Sequence, residues 1–429
     1  MDRSSSIRAA GPTEPADAAP RRFLSGYRDL MDVPGFWRLA AIGMASKLPP
    51  SMVGLSLLLL VGRDHSYGTA GLAVSGLAVG QGVTAPLRGR LIDRHAPRPV
   101  LLGCLAAYLT ATLVLILVVR GGGPVAAILA LAAAMGACAP PVAVMMRSVW
   151  HRATDGSAKS STDNSSGAGK LATAMALDSS MMGAALITGP VLASWLSLSV
   201  SPVVPFVVVA LLTAVAVGML INSPQPPSRS ARYGHWLGPL ASAPLRRLLA
   251  ADALFVMAVT GVDVVLPIYA REYHAAGFTG LYLGVLSVGS VLGSLALGAL
   301  PRLLSDGPKN SRGPKVSLLL CVFAAGTGAL ASAAGVSPHA VLLLCPLAGL
   351  VIGCTFATLR TTGGDLAPDG RVTETMSWLS SLDMAGGALG AAAFAHIAAD
   401  EGSRTALLLV PAVALLAAVI GWNTRTRKP

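Results

Sequence analysis

Apolar residues recur along this chain in runs of about twenty, each long enough as a helix to cross roughly 30 Å of hydrocarbon. Twelve such runs stand between short polar breaks, near 37–62, 69–88, 99–119, 124–146, 171–195, 202–222, 248–270, 276–300, 316–335, 338–360, 374–398 and 404–422. None shows the alternating segments of about ten residues that a membrane barrel requires. Lipid offers no water to satisfy peptide groups, so helices are the solution that remains. The pattern predicts an all-α membrane protein with twelve transmembrane helices.

Composition agrees. The chain has 429 residues, 53% hydrophobic and only 12% charged. Soluble domains carry about 25% charged residues, so this chain could not clothe a water-facing surface. The formal charge of +12 would fit a nucleic-acid partner, but its placement excludes one. With the first residues in the cytoplasm, 27 of the 32 Lys and Arg fall on that side. Arg63, Arg120, Arg271 and Arg404 fall opposite, and Lys47 lies inside span 1. This asymmetry is the positive-inside signal. It places both termini in the cytoplasm and the chain in an inner or plasma membrane. Residues 1–35 lack an apolar signal core and read as a disordered cytoplasmic tail; residues 425–429 form a second tail. The five cysteines all sit in apolar runs without metal-type spacing, so no disulfide or metal site is expected.

The runs divide into two sets of six. A shift of 209 residues lays Gly71-Leu72 on Gly280-Leu281, Val79-Gly80 on Val288-Gly289 and Gly89 on Gly298. Span 2 thus matches span 8 without gaps, as a parallel six-helix duplication would produce. The expected architecture is two pseudo-symmetric six-helix bundles, 36–222 and 248–424. They are joined by a Ser-, Pro- and Arg-rich cytoplasmic linker at 223–247.

Between spans 2 and 3 runs Gly89-Arg90-Leu91-Ile92-Asp93-Arg94-His95-Ala96-Pro97-Arg98. It resembles the G-x-L-x-D-R-x-G-R signature of the major facilitator superfamily, with Ala96 where that family usually has Gly. The second half keeps a remnant, Gly298 to Lys315, with Arg302 at the repeat position of Asp93. Arg147 to Trp150, Ala176-Leu177-Asp178, Gly189-Pro190 and Thr373-Glu374 through Trp378 to Gly390 look like a bacterial, exporter-like subgroup. The resemblance implies the major facilitator fold and secondary transport by alternating access. It further implies that Asp93 pins the halves together on the cytoplasmic side, through a basic partner and a helix N-terminus. The expected gate comprises Gly89, Asp93, Arg94, Arg98, Arg147 and Glu374, with Asp93, Arg147 and Glu374 in direct contact.

Ionisable residues inside spans cost roughly 2.5–3.5 kcal/mol each on insertion scales, so they read as functional. Four are expected: Lys47, Asp178, Asp263 and Asp383. At 1.5 Å per residue, Lys47 and Asp383 should lie near mid-depth, Asp178 nearer the cytoplasm and Asp263 beyond the middle. One cation among three acids points to an ion pair and a proton-binding carboxylate, with Lys47 and Asp263 as polar contacts for substrate. A further acid that the subgroup often carries in span 5 is replaced by Gly183, which weighs against proton coupling. Prolines fall in spans 1, 4, 7 and 10, at Pro49-Pro50, Pro140-Pro141, Pro267 and Pro346. These are the first members of each three-helix unit, and the resemblance makes them the cavity lining. Pro49-Pro50 and Pro140-Pro141 are expected to break spans 1 and 4, with a further helix break at Gly189-Pro190 in span 5. Gly189-Pro190 looks like the core of the family's antiporter motif, though Ala193 and Ser194 replace two of its glycines. The GxxxG pairs Gly76/Gly80, Gly289/Gly293, Gly349/Gly353 and Gly386/Gly390 are expected to be tight helix contacts. The Ser/Gly-rich stretch Thr154 to Gly169 reads as a flexible insertion. No phosphate-binding loop, metal-ligand spacing or nucleophile–base pair occurs, so neither an enzyme nor a cofactor is expected.

The leading expectation is a monomeric, proton-coupled exporter of a small amphipathic molecule. A nutrient importer or uniporter of the same fold is the first alternative, and a non-transporting membrane sensor or assembly protein the second.

Overall fold

A computed structural model describes residues 25–31, 35–147, 149–150, 164–222, 238–275, 278–299, 312–368 and 370–422. Twelve of its helices are long and apolar enough to cross a membrane. In the first half the spans are Phe36–Asp64, Tyr67–Arg94, Pro97–Arg120, Val125–Arg147, Asn164–Ser199 and Val204–Ile221. In the second they are Ala243–Glu272, Thr279–Ala299, Arg312–Ala333, Pro338–Leu366, Val372–Glu401 and Ser403–Trp422. A short helix, Ser25–Met31, precedes span 1. The Asp93 loop and the starts of all odd-numbered spans share one end of the bundle, called here the basic end. The tails, most of the linker and residues 300–311, including Arg302, lie outside the described residues.

Local chemistry sets several boundaries. Ser66 and Ser337 cap spans 2 and 10, each hydroxyl accepting a backbone N–H three residues on (Thr69, 3.1 Å; Ala340, 3.2 Å). Span 5 begins at Asn164, so the supposed insertion is helical over its last residues. No proline interrupts Asn164 to Gly189, and the hydrogen-bond ladder extends back through it. Span 7 likewise starts at Ala243, inside the expected linker. Pro244 lies in its first turn, where a missing N–H costs nothing.

The expected proline breaks need correction. Spans 1, 7 and 10 run unbroken through Pro49-Pro50, Pro267 and Pro346, and span 5 through Pro190. Around Pro49-Pro50, serine hydroxyls donate to neighbouring carbonyls, Ser46 to Gly43 at 2.7 Å and Ser51 to Leu48 at 2.8 Å. Only Pro140-Pro141 interrupts its helix, which ends at Cys138 and resumes at Val142. The carbonyls freed there find donors on span 2. Thr84 Oγ1 donates to Ala137 O at 3.1 Å, and the Arg88 guanidinium donates to Ala139 O and, at 2.8 Å, to Gln81 O. Such backbone groups must be satisfied by protein or water, which accounts for a buried arginine at this level.

Large apolar side chains such as Leu113, Leu198, Leu343 and Val419 point outward, as lipid permits. Within each half, glycine lets backbones touch. A side chain on Gly80 or Gly136 would overlap carbonyls of span 4 or span 2. Gly293 and Gly353 repeat the relation between spans 8 and 10, so the duplicated glycines mark the same contact twice. Gly353→Val should cost about 1–3 kcal/mol by overpacking. Thermal unfolding in detergent should show the loss, while Gly284→Val, which faces open space, should leave the transition unmoved.

The halves meet through spans 2 with 11 and 5 with 8. Ser381 donates to Gly82 O at 2.7 Å, Thr173 to Gly298 O at 2.7 Å and Ser180 to Val291 O at 3.4 Å. These bridges lie in the basic half of each span, so the structure is closed at the basic end. The helix Ser25–Met31 adds a strap there, with Tyr27 Oη donating to Leu295 O of span 8 at 2.9 Å while Leu30 is buried in the first half.

Candidate functional site

At the basic end, Asp93 Oδ2 accepts the backbone N–H of Glu374 at 2.7 Å, in the first turn of span 11. Free N–H groups and the helix dipole favour an anion at that position. Glu374 is itself buried and takes Arg90 at 2.7 Å on one oxygen and Arg371 at 3.7 Å on the other. Gly89 makes the approach possible, because a side chain there would overlap Ser377 and crowd Thr373. Gly238, at φ 58°, presses on the same cluster: an added side chain would strike the Glu374 carboxylate and Arg371. Arg94 and Arg98 are exposed.

The expected gate thus needs one correction. Arg147 is not the basic partner beside Glu374; Arg90 is. Arg147 turns to the bundle interior, where its Nε meets Asp178 Oδ2 at 3.1 Å. Asp93→Asn keeps the hydrogen bond and removes the charge, an effect of about 0.3–1 kcal/mol. The basic-end-open form should gain roughly two- to fivefold in population. The reporter is a cysteine at Ser180, buried between spans 5 and 8, in a background without the five native cysteines. It should be alkylated faster from the basic side in the variant.

Deeper in the same half of the membrane lie two clusters of charge. In the first half, Lys47 of span 1 binds Asp178 Oδ1 at 2.7 Å, and Arg147 of span 4 binds the other oxygen. Lys47 and Asp178 are sealed, with side chains 0% and 2% exposed. Their contact puts them at one level, so the difference in depth expected between Lys47 and Asp178 is not seen. In the second half, Arg360 of span 10 binds Asp252 of span 7 at 3.1 Å and Asp383 of span 11 at 2.6 Å. Its guanidinium also lies 5.6 Å from the Phe356 ring centre, a favourable cation–π distance.

The clusters are pseudo-symmetric. Each draws on the first, fourth and fifth span of its half, with an arginine on the fourth and an aspartate on the fifth. They differ at the first span, lysine against aspartate. The first cluster is formally +1 and the second −1. They meet across the interface, where Arg147 reaches Ser380 Oγ of span 11 at 3.3 Å.

Asp263 stands apart. It is half-buried in span 7, eleven residues beyond Asp252 and hence about 16 Å further from the basic end. Among the described residues it has no hydrogen-bond or ion-pair partner. A separate small cavity lies inside the first half, lined in part by Ser46, Pro49, Gln81, Tyr108, Pro140 and Thr213. Gly189 sits against Ser51 too closely for a side chain, packing span 5 on the proline-rich turn of span 1. Among the described residues no group of His, Cys, Asp or Glu could hold a metal ion.

Asp252, Arg360, Arg88 and Arg90 did not stand out in the sequence. Arg88 and Arg360 lie where the apolar runs end, so they count as loop cations, yet both helices continue past them and bury them. A signal was present for Arg360. Arg147 precedes Asp178 by 31 residues and Arg360 precedes Asp383 by 23, an arginine-then-aspartate pair across spans 4–5 and 10–11 that duplication would preserve.

Two six-helix bundles related by internal duplication, closed at one end and holding buried charge between them, define a secondary transporter that works by alternating access. The sequence model of the Major Facilitator Superfamily matches residues 39–391, and the chain belongs to that family. Its lipid-embedded spans and small-molecule transport follow from that membership, which points away from an enzyme. Among curated proteins none matches by sequence. Solved structures share the fold at low identity. The human organic anion transporter MFSD10 (TETRAN) is 17% identical at a TM-score of 0.70, over 95% of this chain and 100% of that one. The E. coli fucose:proton symporter FucP is 16% identical at 0.69, over 91% and 98%. A bacterial homologue of the iron transporter ferroportin, in an outward-facing state, is 17% identical at 0.67, over 94% and 99%.

Proposed function

We propose that this protein is a monomeric, proton-coupled exporter of a small amphipathic molecule. It sits in the inner or plasma membrane with the basic end and both termini in the cytoplasm. The observation that carries the reading is the facing pair of buried charge clusters at the closed basic end. Opening that end must separate a +1 cluster from a −1 cluster, so any ligand that changes either charge changes the balance between conformations. A ligand shifts such an equilibrium only by its differential affinity for the two states, and a proton on a carboxylate meets that requirement directly. Lys47 is sealed on Asp178, so it serves the gate rather than touching substrate in this conformation. Asp263, half-buried and unpartnered beyond the closed end, is the polar contact for substrate. The Gly189-Pro190 core supports export.

The chain reconstituted into vesicles with an imposed pH gradient tests coupling, and a deletion strain tests direction. An exporter sensitises the deletion strain to its toxic substrate. An importer, the reading that the symporter among the structural relatives would favour, leaves the strain starved of a nutrient. Flux indifferent to the gradient would overturn proton coupling.

A further inference from the structure

The second cluster holds one acid more than its arginine neutralises. Asp252 and Asp383 each give Oδ2 to Arg360. Their Oδ1 atoms are both buried and have no hydrogen-bond partner among the described residues, and the two carboxyl groups are gathered on the two terminal nitrogens of one guanidinium. The Asp252 side chain is 0% exposed and that of Asp383 is 25% exposed. Buried acceptors without donors are costly, and two like charges gathered on one guanidinium oppose each other's ionisation. We propose that Asp252 and Asp383 share a single exchangeable proton, which supplies the missing donor and brings the Asp252–Arg360–Asp383 cluster to neutrality.

The surroundings place one cation in contact with the two acids. Arg360 on span 10 is the cation in direct contact. Span 8 brings no charged group, and the Arg404 of span 12 sits at the opposite end. Span 2 presents Gly82 to the neighbouring Ser381. Across the interface stand Lys47 and Arg147, already committed to Asp178. When the proton leaves to water the cluster becomes −1 and attracts the +1 cluster opposite; when it returns the attraction is lost. Occupancy would thereby favour opening of the basic end, so the pair is the coupling site if the proton-coupled reading above holds.

Infrared difference spectra of the purified protein between about pH 9 and about pH 6 test the sharing without any substrate. Exposed carboxylates stay ionised over that range. The expected result is a protonated-carboxyl C=O band equivalent to one group. Asp252→Asn and Asp383→Asn should each abolish it, because the remaining acid and Arg360 form a neutral pair that needs no proton. Asp263→Asn should retain it. A band that survives in either of the first two variants, one lost only in Asp263→Asn, or none in the wild type overturns the proposal. A band that responds to sodium in place of protons does so too. If the band behaves as expected while vesicles show no pH-driven flux, the shared proton stands and the transport reading fails.

Discussion

Asp178→Asn should be among the most damaging single changes in the first half, and Lys47→Met among the mildest for so buried a residue. Asp178 holds two cations, Lys47 at 2.7 Å and Arg147 at 3.1 Å, with no second acid in the cluster. Removing its charge leaves both cations buried and uncompensated. Breaking a buried pair in this way costs about 3–5 kcal/mol. Removing Lys47 leaves the Arg147–Asp178 pair, which is neutral, and a methionine chain fills much of the lysine volume. Apolar replacement of buried charge is often neutral or stabilising. Thermal unfolding in detergent should therefore fall sharply in Asp178→Asn and barely move in Lys47→Met. The double variant should recover part of the loss, because one of the two stranded cations is gone. Equal damage from both single changes would show that the pair, and not the charge balance of the cluster, sets the stability here.

That asymmetry was only partly legible in the sequence. Lys47 and Asp178 announce themselves, since a charge inside an apolar run has no other account. The twelve spans, the duplication and the Gly89–Arg98 motif were equally plain, because lipid demands long apolar runs and the motif is local. Partners were harder. Arg147, Arg88 and Arg360 close apolar runs, where a basic residue is the ordinary anchor of a helix at the membrane surface. Sequence cannot tell an anchor from a buried cation when the helix continues past it, as span 10 does to Leu366. Asp252 was hidden for the same reason, at the start of a run whose helix begins earlier, at Ala243. Prolines misled in the opposite direction. They mark where a peptide donor is missing, yet spans 1 and 5 stay helical through Pro49-Pro50 and Pro190. Span 4 alone is interrupted, where two consecutive prolines meet donors waiting on span 2.

Arg360→Gln should be the counterpart of Asp178→Asn in the second half, with a pH dependence of the opposite sign. Glutamine removes the one cation that two buried carboxylates share and also the contact over Phe356. With both acids ionised, the loss should again be about 3–5 kcal/mol. Whereas the Lys47 ammonium stranded beside Arg147 in Asp178→Asn is relieved by losing its proton, the carboxylates of Arg360→Gln can take up protons in place of the missing guanidinium. The folded variant then binds more protons than the unfolded chain, so its stability falls as pH rises. Thermal unfolding of Arg360→Gln should accordingly approach the wild type in acid and separate from it in alkali, whereas Asp178→Asn should move the other way, toward the wild type in alkali. Adding Asp252→Asn to Arg360→Gln leaves one acid and should shrink both the loss and its pH dependence. A flat offset in Arg360→Gln would mean that water or a neighbouring cation reaches the two carboxylates, and the charge difference between the clusters could not then drive the opening of the basic end.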